Sequence, residues 1–79
     1  MDTLQKLCDD ARDRADVDPD SPADPSQIDI FNTKLDEFQK FYPHDSFLAA
    51  IPVIKGPITN RRMFIRARNL RAALLTTSK

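Results

Sequence analysis

The chain has one cysteine and one histidine, Cys8 and His44, so neither a disulfide nor a four-ligand zinc site can be assembled within one copy. Its single glycine, Gly56, cannot build the glycine-rich turns of a phosphate-cradling loop or a nucleophile elbow. No run approaches the roughly 18 apolar residues of a membrane span. The opening MDTLQKLCDDARDR, acidic from its second residue, does not read as a signal peptide. A lone thiol fits a reducing compartment, so the expected location is cytoplasmic, or nuclear in a eukaryotic host. Cys8 itself reads as a small apolar residue on a helix face.

The most informative absence is acid in the second part of the chain. All twelve acidic residues lie between Asp2 and Asp45, against five cations over the same stretch, for a net −7. From Ser46 onward come Lys55, Arg61, Arg62, Arg66, Arg68, Arg71 and Lys79, for +7. A formal charge of zero thus hides a dipole along the sequence, which points to a charged partner or to docking of one half on the other. With 79 residues the chain forms one domain at most, and so small a domain buries only about 60 % of its unfolded surface. Without disulfide or metal, a partner subunit or self-association is the expected extra source of stability.

Periodicity divides the chain into a helical arm at 1–16, a Pro/Asp-rich linker at 17–26 and a helical core at 27–79. In the arm, Leu4, Leu7, Cys8, Ala11 and Ala15 recur at the helical period. Asp2 or Thr3 serves as cap, and Asp9–Arg12 and Asp10–Arg14 are favourable pairs. The apolar stripe is thin, so this helix is expected to dock on something else. The linker VDPDSPADPS has no periodicity, and each proline disfavours helix in the residue before it. Asp16, Asp18, Asp20 and Asp24 fall at positions 1, 3, 5 and 9 of a twelve-residue loop, a spacing that resembles the EF-hand calcium loop. The pattern departs from it at Ser21, where glycine belongs, and at Gln27, where glutamate belongs. A solvated linker is the expected reading.

A second helix is predicted over 27–42, capped by Ser26 and stopped by Pro43, with Ile28, Phe31, Leu35, Phe38 and Tyr42 as core face. Ile30 and Phe41 share a second, narrower face and are candidates for a contact surface, since interface cores are enriched in aromatics. Asp45 is placed to cap a short helix ending before Pro52, so His44-Asp45-Ser46 reads as turn and cap rather than catalytic triad. A last helix is predicted from Arg61 to about Leu75, capped by Thr59 or Asn60, with Met63, Ala67, Leu70 and Leu74 inward. The fold class expected is therefore mostly all-α, a small three-helix domain. The alternative is α+β, with Ile51–Ile54 and Ile58–Arg68 as a C-terminal β-hairpin, because Met63, Ile65 and Ala67 also alternate with polar residues.

Arg61, Arg62 and Arg68 fall opposite the inward stripe around Ile65, and Arg66 and Arg71 flank that stripe. Arginine rather than lysine throughout favours bidentate contact with carboxylate or phosphate. The expected partner-binding residues are thus Arg61, Arg62, Ile65, Arg66, Arg68, Arg71, Ile30 and Phe41. The function expected is a non-enzymatic protein–protein interaction module, an adaptor, accessory subunit or assembly component, without cofactor. Head-to-tail self-association through the charged halves is one version. The alternative is a small nucleic-acid-binding protein using the Arg61–Arg71 helix, against which the −7 half weighs electrostatically.

Overall fold

Four α-helices follow one another in the computed structural model: α1 Asp2–Val17, α2 Pro25–Phe41, α3 Ser46–Ala50 and α4 Asn60–Thr77. It describes residues 2–77, leaving aside the side chains of Asp2 and Thr77, so the cap expected at Asp2 lies outside the described residues. The protein is a small, mostly helical domain, and its only β feature among those residues is an isolated bridge between Pro22 and Thr59. The core gathers Leu4, Leu7, Cys8 and Ala11 of α1, Phe31 and Leu35 of α2, Leu48 of α3, and Met63, Ala67, Leu70 and Leu74 of α4.

The most extensive helix contact is between α1 and α4. They run antiparallel: Asn60, at the start of α4, donates to the Asp18 carbonyl just past α1, while Arg71 acts electrostatically on Cys8. The thin stripe of α1 explains this pairing. Cys8 and Ala11 meet a helix whose own seam contains Ala67, and small side chains let two helix axes approach closely. Burial raises the Cys8 thiol pKa, with Asp9 acting in the same direction and Arg71 against it.

Local chemistry sets the helix ends. Asp24 caps α2, its carboxylate accepting from the backbone N–H and the hydroxyl of Ser26 at 2.9 Å each. The cap therefore lies two residues before the expected one, because Pro25 is favourable at the first helical position, where its missing N–H costs nothing. The two Ser26 hydrogen bonds are the main reasons that the Asp24 carboxyl sits below its ordinary pKa, with Arg14 adding to them. Asp45 caps α3 by accepting from Leu48 N at 2.9 Å.

The linker is a strap, and it solves a problem at the start of α4. The first N–H groups of a helix have no intrahelical acceptor. Here Asn60 N donates to Ser21 O at 2.9 Å and Arg61 N to Pro19 O at 3.1 Å. Arg62 N reaches Thr59 Oγ1 at 3.3 Å, and Met63 N closes the first turn on Thr59 O. Ala23 N donates to Ile58 O, and Asn60 Nδ2 to Asp18 O. Proline removes donors but leaves carbonyls, so a proline-rich segment suits a role made of acceptors.

The hairpin alternative is not what forms. Residues 51–58 are without regular structure and residues 60–68 are helical. Side chains take the place of a partner strand: Asn32 bonds both Ile54 O and Ile54 N, at 2.9 and 2.8 Å. Gln39 Nε2 donates to Leu48 O and Ile51 O, and Arg66 Nη2 to Pro52 O at 2.6 Å. Pro52 and Pro57 also deprive this segment of two ladder donors.

Candidate interaction surface on the arginine helix

Helix α4 contains five arginines and no acid among its eighteen residues. Its seam of Met63, Ala67, Leu70 and Leu74 turns inward, with exposures from 0 to 4 %. At 100° per residue the opposite arc holds Ile65 at the centre, Arg61 and Arg68 two turns apart on one side, and Arg62 and Asn69 on the other. Arg61, Arg62, Arg68 and Asn69 are all exposed, and Ile65 retains 38 % of its surface. Two of these arginines occupy the first turn, where the helix dipole is positive and acids are favoured. Their placement works against local stability and makes this end electropositive.

The arginines divide by environment. Arg66 belongs to the interior: it is half-buried, lies 5.8 Å from the centre of the Phe31 ring and holds the Pro52 carbonyl, while its Nε is buried without an acceptor. Arg71 is half-buried on the α1 side, close enough to lower the thiol pKa of Cys8 against the effect of burial. Arg68 stacks its guanidinium 5.5 Å from the Phe64 ring centre but stays exposed. Arg61 pairs with Asp20 at 3.4 Å, both side chains well exposed. Arg62 forms no ion pair among the described residues.

The charge partition is as uneven as the sequence, and the halves do not cancel one another. Five of the six ion pairs among the described residues lie within the acidic half: Arg12 with Asp9 and Asp13, Arg14 with Asp24, Lys34 with Glu37, and Lys40 with Asp36. Only Arg61–Asp20 crosses to α4. Arg14 meets Asp24, not the Asp10 expected from helix spacing, because the strap folds back past the end of α1. Three of the four aspartates with calcium-loop spacing are engaged separately: Asp18 accepts from the Ser21 hydroxyl, Asp20 meets Arg61, and Asp24 caps α2. Among the described residues no three His, Cys, Asp or Glu side chains converge as a metal site would require.

Ile30 and Phe41 lie along the outer edge of α2, 39 % and 75 % exposed, with Phe41 edge-on to Tyr42 at 4.9 Å. They share one face of a different helix from the arginine row, about three turns apart. Arg66 over Phe31 is a cation–π contact that ties α2 to that row. Phe47, 64 % exposed, was not among the residues expected here. It lines a shallow cleft of ≈ 310 Å³ with Ile51, Asn69, Ala72, Ala73 and Thr76, beside the outward face of α4. It stands two residues after the Asp45 cap, in the first turn of α3. No described helix is long and apolar enough to cross a membrane. Comparison of the chain with protein-family models, curated proteins and solved structures finds no match in any of the three.

Proposed function

We propose that this protein is a non-enzymatic interaction module, an adaptor, accessory subunit or assembly component, that docks an acidic protein surface on the outward face of α4. The observation that carries this reading is the imbalance of ion pairing. Arg61, Arg62 and Arg68 surround the half-exposed Ile65 on a helix without acids, and one of the three has an ionic partner, itself solvent-exposed. An apolar side chain ringed by arginines supplies what interface centres are enriched in, and arginine forks match carboxylates bidentately. Phe47 and the adjoining cleft extend the apolar part of that surface. Ile30 and Phe41 offer α2 a secondary contact.

The test is affinity capture from source lysate by the intact chain and by an Arg62→Glu/Arg68→Glu variant, each with and without nuclease. A protein retained by the wild type after nuclease treatment and lost by the variant supports the reading. Retention that disappears with nuclease overturns it in favour of nucleic acid, whose binding should also fall steeply with salt.

A further inference from the structure

The outward face of α4 carries more than its arginines. At 100° per residue Arg62, Ile65, Asn69, Ala72 and Thr76 fall within about 80° of arc, and all five are exposed. Their steps of three and four residues are those of a heptad seam, the row that one helix presents to another. From Arg62 to Thr76 the row runs about 21 Å at 1.5 Å per residue. Its two ends differ. The first half is cationic, with Arg61 and Arg68 beside Arg62 and no acid anywhere in the helix. The second half forms the floor of the ≈ 310 Å³ cleft, bordered by Phe47 and Ile51, and Thr76 returns its hydroxyl to Ala72 O at 3.1 Å. Leu75, 44 % exposed, flanks the row on the other side.

A seam of this kind suits a helix. Asn69, Ala72 and Thr76 are short, so a second helix axis can come close, while Ile65 and the cleft beside Phe47 receive its apolar side chains. The arginines fix the sign of the rest. Of Arg61, Arg62 and Arg68 only Arg61 has an ionic partner among the described residues, so this end repels a basic helix and favours an acidic one. The chain itself does not supply that helix. Its α1 keeps the apolar stripe in the core, and α2 places Lys34 and Glu37 between Ile30 and Phe41 on their shared face. A phosphate backbone would meet the arginines but leave the apolar half of the row uncovered. Resting on the docking reading above, we propose that the partner is an acidic amphipathic helix. It lies along the row from Arg62 to Thr76, with its apolar face in the Phe47 cleft and its carboxylates on Arg62 and Arg68.

Titration of the intact, isotopically labelled chain with a synthetic acidic helix tests this. The probe is a peptide of about three heptads with leucine at a and d and glutamate at e and g, whose own copies repel one another. A peptide of the same composition in scrambled order and poly-glutamate are the controls. The heptad peptide should move the amide resonances of Phe47, Ala72 and Thr76 together with that of Arg62, and bind on the order of tenfold tighter than either control. Ala72→Lys fills the cleft floor without removing positive charge, whereas Arg62→Glu/Arg68→Glu reverses the charge and leaves the cleft intact. Each should weaken that binding by about tenfold or more, with circular dichroism confirming that each variant folds. Equal affinity for all three ligands, with shifts confined to the arginines, leaves the docking reading standing and removes the helix. No binding of any of the three, or cleft binding indifferent to Arg62→Glu/Arg68→Glu, removes both. A mixed-sequence RNA that binds tighter than the heptad peptide and ignores Ala72→Lys overturns both in favour of nucleic acid. If sedimentation equilibrium shows a wild-type dimer that Ala72→Lys breaks, a second copy fills the cleft and the proposal fails.

Discussion

The acidic and basic parts of this molecule use charge in different ways. In the acidic part, cations answer acids at short range: five ion pairs join residues between Asp9 and Lys40, two of them at helix spacing in α2. In α4 no acid answers the arginines from the same helix, and one contact reaches them from the strap. The first arrangement pairs its cations within itself and keeps a net excess of acids. The second splits its arginines into an inner set committed to the fold and an outer set facing solvent. Arg66 and Arg62, four residues apart on one helix, are the clearest contrast.

The largest effect is expected where both parts share a core. Leu70→Ala removes a fully buried side chain from the α4 seam and should cost about 3–5 kcal/mol, read as the loss of the urea unfolding midpoint. Next comes the contrast between the two arginines. Arg66→Ala gives up a charged hydrogen bond to Pro52 O and the Phe31 stacking, worth about 1.5–3 kcal/mol together. Arg62→Ala should stay within about 0.5 kcal/mol of wild type. Equal effects in thermal denaturation would erase the division between inner and outer arginines.

Asp24 sharpens the comparison from the acidic side. Its folded pKa is lowered by the Ser26 hydrogen bonds, so its contribution is complete above the ordinary aspartate value and fades as pH falls through the depressed one. Asp24→Asn keeps an N-cap acceptor but removes the titration. The variant should lose part of the acid-induced fall in stability that the wild type shows, followed by circular dichroism from neutral to strongly acidic pH. The smallest effect belongs to the one cross-half pair. Asp20→Asn should change the unfolding free energy by no more than about 0.5 kcal/mol, because both side chains are well exposed.

Much of this arrangement was legible in the sequence, for reasons that particular residues make clear. The inward stripe Met63, Ala67, Leu70 and Leu74 and the buried pair Phe31 and Leu35 follow from helical periodicity, which reports burial directly. The short α3 follows from Asp45 and Pro52. What periodicity cannot report is contact between distant segments. The strap at 18–24 looked like a spacer because its carbonyls, which cap α4, leave no pattern in side-chain identity. The role of Arg66 was equally hidden, since spacing alone places it at the edge of a stripe and does not reveal the Pro52 carbonyl. The exposed arc of α4 was legible, but that a single acid, Asp20, pairs with it required knowing where every acid goes.

The central claim is that the outer arginines serve a partner and not the fold. Its most direct measurement is an Arg62→Glu/Arg68→Glu variant, assayed in parallel for unfolding free energy and for retention of the nuclease-resistant protein complex. The account predicts stability within about 1 kcal/mol of wild type, given the modest Arg68–Phe64 stacking, together with loss of the complex. A strongly destabilised variant, or a stable one that still holds the complex, would contradict it.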